Sequence, residues 1–418
     1  MQINSYKLDN GLRIVEDPIE GSNSFTLMVM FRTGSRNETH NIWGISHFLE
    51  HMIFKGTKTY PSAYLLAKEL DSLGAAYNAY TSKEHTGYYL KGSKKVFERA
   101  LSIISEITTD PIILDEEVDK ERGAIIEELN MYEDDPRRKV ADYFEESLYP
   151  DHQVSQEIIG SKATLKKIRA KEIIEYRNRY YRTGNAVISI SGNIPENFRA
   201  LVETSFDKLK TGEEEYLPAD IERKSSINII NKKTQQTHLA LGYPGVSVHN
   251  ENKTAVKVLA TLLGGNMSSR MFSEVREKRG LAYYVRTFAD NMYDVGALAT
   301  FAGVNNEKAI EAVKIIKEVY EKVAENVPED ELQKTKDFMT GIMTLSYEDS
   351  EFRSELNAMT ELYGNKHESL DEKISKVEKI SSTQISDLAK TVLDQNKLCL
   401  ALIGPFSNKK IFEELLKS

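Results

Sequence analysis

Two histidines and a glutamate lie within five positions of the segment GISHFLEHMIFKGT, residues 44–57. His47 and His51 are four residues apart, so on an α-helix both imidazoles would face one side and could bind a single metal ion. Glu50, three residues after His47, shares that side and could exchange protons with a water molecule at the metal. The spacing therefore predicts a catalytic metal site on a helix.

A catalytic zinc ion takes three protein ligands and keeps its fourth position for water, so a further ligand is required. The segment ERGAIIEELN offers Glu121, Glu127 and Glu128. Glu121 and Glu128 are seven residues apart and share one side of a helix, whereas Glu127 points elsewhere. The spacing alone leaves open which carboxylate of that pair binds the metal.

Short similarities at a constant offset indicate an internal duplication. Thr26 and Thr237 occupy matching positions in two apolar segments, 211 residues apart. Asn185 and Asn396 repeat that offset. Counting 213 residues on, the offset that pairs Glu38 with Glu251, the second half has the apolar ATLLG where the first has HFLEH. Two structural histidines one turn apart would also fit the first half, but the absence of all three polar residues from the second favours one functional site beside a retained scaffold.

The apolar patterns within each half alternate between strands and amphipathic helices. FTLMVMFRTG and NAVISISGNI are typical of strands, and SAYLLAKELDSLG is typical of a helix. We therefore predict an α+β protein of two similar αβ domains, each a mainly antiparallel sheet covered by helices. The charged segment with little apolar periodicity predicts the boundaries: a first domain at 1–212, a linker at 213–226 and a second domain at 227–418.

Composition narrows the classes of function and partner. The 418 residues include 55 Lys and Arg against 64 Asp and Glu, a net charge of −9, which disfavours nucleic-acid binding and would suit cationic peptides. No apolar run has the roughly 18 residues of a membrane span, so no membrane partner is expected. The first residues lack the apolar core of a signal peptide, which predicts a cytoplasmic protein. Cys399, in the apolar KLCLALIG, is predicted to be a buried strand residue.

These motifs resemble the pitrilysin/insulinase family of zinc peptidases, the inverzincins, whose H-x-x-E-H signature reverses the common H-E-x-x-H order. The similar segments are GISHFLEHMIFKGTKTYP, LGAAYNAYTSKEHTGYY and KERGAIIEEL in the first half, and SSRMFSEVREKRGLAYYV in the second. The resemblance extends over essentially the full chain, and it is greatest to single-chain bacterial members and to the β subunit of mitochondrial processing peptidase. It implies a zinc metalloendopeptidase with one zinc ion per chain.

The resemblance also implies roles for individual residues near the metal and the substrate. These are zinc binding by His47, His51 and Glu128, general base catalysis by Glu50, orientation of a ligand histidine by Glu121, a pocket wall at Phe54, a strand edge for the substrate backbone at Asn78 and Ala79, oxyanion binding by Tyr283, and support of the substrate or that tyrosine by Arg276. From spacing alone, Arg276 and Tyr283 would be a basic helix end before a strand. Asn78 and Ala79 would be ordinary sheet residues.

The family resemblance implies that two similar halves or chains face each other around a chamber, so that one chain forms half of a clamshell. Arg276 and Tyr283 would have to reach the zinc site from another domain, so we expect a homodimer or a heterodimer with a related subunit. Substrates would be short or unfolded peptides cut at internal bonds. Two alternatives are a non-catalytic subunit, like the family's core proteins of respiratory complexes, and a metal-dependent hydrolase of something other than peptides.

Overall fold

The computed structural model describes residues 3–212, 219 and 221–417. The chain divides into two compact units, and neither is continuous in sequence. The first unit comprises Met1–Asn130, Gln156–Leu217 and Leu345–Leu370. The second comprises Met131–Ser155, Pro218–Thr344 and Asp371–Ser418.

Strands and helices alternate along both units, as the apolar patterns predict. The strands are β1 (Asn4–Lys7), β2 (Arg13–Pro18), β3 (Ser24–Phe31), β4 (Ala76–Thr81), β5 (Thr86–Ser93), β6 (Ala186–Gly192), β7 (Ser226–Asn231), β8 (Thr237–Pro244), β9 (Ala282–Asn291), β10 (Gly296–Val304) and β11 (Cys399–Gly404). The α-helices are α1 (Ile45–Ile53), α2 (Ala63–Ser72), α3 (Phe97–Thr109), α4 (Asp115–Asp134), α5 (Pro136–Leu148), α6 (Lys162–Leu165), α7 (Ala170–Tyr180), α8 (Phe198–Ser205), α9 (Lys253–Gly264), α10 (Ala309–Glu325), α11 (Glu329–Ser346), α12 (Ser350–Leu362), α13 (Leu370–Glu378), α14 (Ser382–Val392) and α15 (Lys410–Lys417).

The sheet of the first unit has the strand order β1-β2-β6-β3-β5-β4. Its neighbouring strands are antiparallel except for the parallel pair β2 and β6. The central strand β3 is buried along nearly all its length, because it has a strand on each side and helices on its faces. Strand β4 lies at an edge of this sheet, where its outer backbone groups can pair with another chain.

The sheet of the second unit repeats this arrangement without a counterpart of β1. Its order is β7-β11-β8-β10-β9, and its one parallel pair, β7 and β11, corresponds to β2 and β6. The prediction of an α+β protein with two similar, mainly antiparallel sheets is thereby confirmed. Cys399 lies fully buried in β11, also as predicted.

Two helices extend the units beyond the predicted boundaries of 1–212 and 227–418. Helix α12 packs on β2, β3 and β6 of the first sheet, although it follows most of the second unit in sequence. Helix α5 packs on β7, β8 and β11 of the second sheet, although it precedes them by nearly 80 residues. Apolar periodicity predicts that such a helix has a buried face, but it does not indicate which sheet receives that face. Of the predicted linker, residues 213–218 and 220 lie outside the described residues.

Within the described part of the chain, no helix combines the length and the apolar character that crossing a bilayer requires.

Candidate metal centre

The H-x-x-E-H segment forms helix α1 because its apolar residues recur at helical spacing. Ile45, Phe48, Leu49, Met52 and Ile53 are all fully buried, and their spacing of three and four residues places them on one face. The polar residues of the same helix must then lie on the opposite side. The core of the first unit thus fixes the direction in which the histidines and the glutamate project.

The start of α1 is held by the buried carboxyl group of Glu38. The Glu38 oxygens accept hydrogen bonds of 2.7 Å from the backbone N–H groups of Gly44 and Ser46. These N–H groups have no partner within the helix, and the positive end of the helix dipole also favours an acceptor here. Burial raises the pKa of Glu38 to about 8, against the lowering effect of the two hydrogen bonds. Glu38, nine residues before His47 in the sequence, therefore fixes the position of α1.

Helix α4 supplies the two carboxylates that the spacing left undecided. Val118, Arg122, Ile125 and Leu129 of this helix are buried, which holds Glu121 and Glu128 on a neighbouring face. The Arg122 guanidinium donates to the carbonyl oxygens of Leu165 and Ile168 at 2.9–3.2 Å and lies 5.7 Å from the Phe48 ring of α1. This arginine therefore holds α4 beside α1.

Three possible ligand atoms converge between α1 and α4. His47 Nε2 and His51 Nε2 are 3.2 Å apart, and Glu128 Oε2 lies 3.7 and 3.6 Å from them. In a tetrahedral zinc site with bonds of 2.0–2.2 Å, ligand atoms are about 3.3–3.6 Å apart. The donors therefore fit a zinc ion in both type and spacing. Among the described residues, this is the group of His, Cys, Asp or Glu side chains close enough to hold a metal ion.

Glu121 takes a different position from Glu128, which favours Glu128 as the third ligand. Its Oε1 lies 2.8 Å from His51 Nδ1, and its other oxygen forms an ion pair with the Lys55 ammonium. Burial raises the pKa of Glu121, but the hydrogen bonds from His51 and Lys55 outweigh it and lower the pKa below its usual value. The ionised carboxylate accepts a hydrogen bond from His51 Nδ1–H, which leaves the Nε2 lone pair free to bind the metal.

The electrostatics of the two histidines differ because their neighbours differ. Burial lowers the pKa of His47 to about 3, so this imidazole is neutral and its Nε2 lone pair is available. Burial also lowers the pKa of His51, but the hydrogen bond to Glu121 and the charges of Glu50 and Glu128 more than compensate and raise it. These carboxylates stabilise the protonated form of His51. A metal cation bound among them would take the place of that proton.

Lys55→Met is expected to weaken zinc binding about tenfold, because Glu121 would lose the ion pair that fixes it against His51. Glu121→Gln, which removes the carboxylate itself, should weaken it by roughly 10–100-fold. Competition with a zinc-chelating dye measures both dissociation constants. Lys58→Met, at an exposed position three residues further on, is the matched control. An unchanged affinity for Lys55→Met would show that His51 is oriented without this lysine.

Glu50 projects from α1 beside the three donors, where it is held by the end of strand β4. Its Oε2 accepts a hydrogen bond of 2.6 Å from Thr81 Oγ1. Burial raises the pKa of Glu50, while Thr81 and His51 act in the opposite direction. A carboxylate with a raised pKa next to a metal site is well suited to accept and return a proton.

Strand β4 places Asn78 and Ala79 at the open edge of the first sheet. The Ala79 N–H bonds to Asn78 Oδ1 at 2.9 Å, which indicates that this N–H points away from β5. Phe54, just after α1, has its ring centroid 6.4 Å from those of Tyr77 and Tyr88. It lines a small apolar pocket of about 10 Å³ with Leu70, Asn78 and residues of α3, and this pocket would have to widen to admit a side chain. The pocket and the strand edge therefore adjoin one another.

Arg276 and Tyr283 lie in the second unit, whereas the metal donors lie in the first. The Arg276 guanidinium, in a π-helical turn at Phe272–Glu277, is 4.9 Å from the Phe272 ring and 6.0 Å from the Tyr283 ring. Tyr283 is 73% exposed. The structure thus brings the arginine and the tyrosine together, and their action at the metal stays a prediction.

Three residues that support the site did not emerge from the sequence. Lys55 lies four residues after His51, just past the end of α1, so its spacing was a usable signal. Thr81 contacts Glu50, which lies 31 residues before it, and Glu38 binds the backbone at the start of α1. Nothing in the local sequence of either residue indicates these contacts.

A duplicated α+β fold with two histidines, a third possible donor from a distant helix and a neighbouring carboxylate outside that donor set is the arrangement of the inverzincin class of metallopeptidases. The chain belongs to the insulinase family, peptidase family M16. The family model "Insulinase (Peptidase family M16)" matches residues 15–162, and the model "Peptidase M16 inactive domain" matches residues 167–339. The family resemblance of the sequence is thereby confirmed.

Curated relatives match the chain over nearly its whole length. The uncharacterized zinc protease YmxG of Bacillus subtilis is 34% identical over 97% of this chain and 99% of its own. An uncharacterized zinc protease of Streptomyces coelicolor is 32% identical over 96% of this chain and 90% of its own. Among solved structures, a protease from Helicobacter pylori has a TM-score of 0.91 at 24% identity, covering 97% of this chain and 99% of that one. This last likeness concerns the fold.

Proposed function

We propose that this chain is a zinc-dependent endopeptidase that cuts internal bonds of short or unfolded peptides, with one zinc ion per chain. The observation that carries the proposal is the convergence of His47, His51 and Glu128 donor atoms beside the carboxylate of Glu50. The names of the relatives, which are zinc proteases, support the choice of metal and reaction.

A zinc ion held by these donors would lower the pKa of a bound water toward neutrality and polarise the carbonyl of the peptide bond. Glu50 accepts the proton of the attacking water and returns it to the leaving amine. The Thr81 hydroxyl holds Oε2 of Glu50, which leaves Oε1 for this transfer. Tyr283, supported by Arg276, would donate a hydrogen bond to the oxyanion.

The open edge of β4 suggests how a peptide would be held. A peptide in extended conformation can pair with the free backbone groups near Asn78 and Ala79 and extend the sheet by one strand. Phe54 would border the pocket for an apolar side chain of that peptide. Only a chain segment free of other structure can pair in this way, which favours short or unfolded substrates. The net charge of −9 favours cationic ones.

A dimer belongs to the same proposal. Arg276 and Tyr283 are carried by a different unit from the zinc donors, and two chains could enclose a chamber in which all of them meet. The partner would be a second copy or a related subunit. Light scattering of the active protein tests this, and full activity at the mass of one chain would contradict it.

A cytoplasmic location stays a prediction, which cell fractionation can test.

Removal of the metal is expected to abolish hydrolysis of an internally quenched peptide. Because the three donors bind the metal that activates water, dialysis against a chelator should reduce turnover to background, and about one equivalent of zinc per chain should restore it. Metal content by mass spectrometry and turnover are measured on the same samples. Full turnover in metal-free protein would refute the proposed function.

Thr81→Val is expected to move the acid limb of the kcat/KM profile to higher pH. The Thr81 hydrogen bond stabilises ionised Glu50 and lowers its pKa, so its loss raises the pKa of that carboxyl further. The base then becomes protonated at a higher pH on acidification, while activity on the alkaline side changes little. Thr204→Val, at an exposed position of α8, is the control. A shift of the limb toward lower pH would contradict the assignment.

The alternative function, a non-catalytic core subunit, is supported by a solved structure with a similar fold. A chain of complex III2 from Candida albicans has a TM-score of 0.83 at 15% identity, covering 99% of this chain and 100% of that one. At this sequence identity, the similarity concerns the fold and gives no information about the site. The joint presence of three donors and Glu50 favours the peptidase, because a scaffold has no need of a partly buried cluster of titratable groups.

A further inference from the structure

The second unit has an open groove between helix α5 and strands β9 and β10. Its volume is about 410 Å³. The side chains of alternate residues of β9 and β10 form its floor, and α5 forms its wall. None of these residues takes part in the metal site of the first unit.

The middle of the groove is aromatic. Phe301 of β10 lies with its ring centroid 6.0 Å from Phe144 of α5 and 6.1 Å from Phe288 of β9. Phe288 is 52% exposed, which is unusual for a large apolar side chain on a sheet. We name these three residues the aromatic trough. It offers an apolar surface of the kind that binds an apolar or aromatic side chain.

One end of the groove is basic. The Arg137 guanidinium lies 4.7 Å from the Tyr284 ring, and Arg286 follows Tyr284 on the same face of β9. Within the described residues, neither guanidinium forms an ion pair with a carboxylate. Two such arginines on a chain of net charge −9 suggest a negatively charged ligand.

The corresponding place in the first unit is closed, so the groove does not follow from the fold alone. There the cross-strand pair Tyr80 and Gly87 occupies the position of Phe288 and Ala299. The Tyr80 ring lies directly over Gly87, where a Cβ atom would clash with it at 2.6 Å. Tyr80 also packs against the cluster that includes α12. In the second unit the tyrosine-over-glycine pair is Tyr284 and Gly303, which lies at the basic end of the groove, so the space above Ala299 stays open.

We propose that the groove binds the carboxyl-terminal residue of a peptide, with its apolar side chain in the aromatic trough and its carboxylate at Arg137 and Arg286. The planar guanidinium matches a carboxylate in two hydrogen bonds, and a partly apolar site strengthens them. Glu145 and Asp290 line the other end and would repel a carboxylate there, which sets the direction of the peptide. From Tyr284 to Asp290 the strand spans roughly 20 Å, enough for several extended residues. That the ligand is a peptide rests on the proposed function.

Fluorescence anisotropy with the Glu50→Gln protein, which should not cut the probe, tests this site. The probes are one fluorescein-labelled peptide ending in Phe with a free carboxylate, the same peptide with a terminal amide, and the same peptide ending in Ala. We expect the free acid ending in Phe to bind at least about tenfold more tightly than either of the others. Equal affinity for acid and amide, or no binding of any probe, would overturn the proposal.

Variants of the groove separate it from the metal site. Arg286→Gln and Arg137→Gln should each weaken binding of the free acid about tenfold and leave the amide unchanged, and Ala297→Leu should weaken both by filling the groove. Arg138→Gln is the matched control, because Arg138 is the next residue of α5 and lies outside the groove. Unchanged affinity in Arg286→Gln and Arg137→Gln would overturn the proposal.

The two proposals can fail separately. If the wild-type protein cuts peptides but Glu50→Gln binds no probe in the groove, only the groove proposal is contradicted. If the groove binds the probe but the wild-type protein cuts no peptide, only the proposed peptidase function is contradicted.

Discussion

Glu50→Gln is expected to keep its zinc ion and to lose roughly 10²–10⁴-fold in kcat, the contribution of a positioned general base. The glutamine amide can still accept the hydrogen bond from Thr81, so the local structure should persist. It cannot take the proton of the attacking water, because an amide oxygen is far less basic than a carboxylate. The three donors are untouched, so KM and metal content should change little.

The measurement combines turnover of an internally quenched peptide with zinc content of the same sample. Glu127→Gln, at an exposed position of α4 next to Glu128, makes the same chemical change outside the site and should behave as wild type. A Glu50→Gln protein that cuts peptides at the wild-type rate would mean that another group takes the proton. Loss of zinc together with turnover would mean that Glu50 is itself a ligand.

Glu128→Gln is expected to weaken zinc binding by more than about 100-fold, beyond the 10–100-fold effect of residues that only surround a ligand. Glu128 is the one anionic donor of the three, and its Oε2 lies 3.6–3.7 Å from both Nε2 atoms. A neutral amide oxygen is a poor replacement, and the two imidazoles alone hold zinc weakly. Turnover should fall with occupancy and recover in part when excess zinc is added.

That partial recovery distinguishes this variant from Glu50→Gln, in which added zinc should have no effect. Zinc dissociation constants come from competition with a chelating dye, and Glu127→Gln again serves as the control. If Glu128→Gln bound zinc as tightly as wild type, the third ligand would have to be sought elsewhere. Glu121 would be the first candidate, and its ion pair with Lys55 would then have to break.

The sequence predicts the metal-binding face of α1 because the information is local. Apolar residues at helical spacing determine which side of the helix is buried, and the two histidines and Glu50 then have to point the other way. The choice between Glu121 and Glu128 depends on how α4 lies beside α1, which is a tertiary property. Thr81 was missed for the same reason, since it acts through a contact with Glu50, 31 residues before it. Glu38 was missed because its bonds to the start of α1 depend on how the intervening chain turns.

The duplication could be predicted from the constant offset of 211 residues, and the two sheets repeat the same strand order. The places of α5 and α12 could not. Both helices have an amphipathic pattern that any apolar surface could satisfy, and their partners lie far away in sequence. Proximity along the chain is a poor guide once a helix from one half completes a sheet of the other.

The position of α12 has a consequence for biosynthesis. Ala358 and Leu362 of this helix cover Val15, Met28 and Val187 on the first sheet. A nascent chain that ends at residue 212 leaves those side chains in water, so the half that carries the histidines cannot finish folding while it emerges from the ribosome. We expect its core to be completed only after translation has passed Leu362, and an isolated fragment of the first 212 residues to expose this apolar surface.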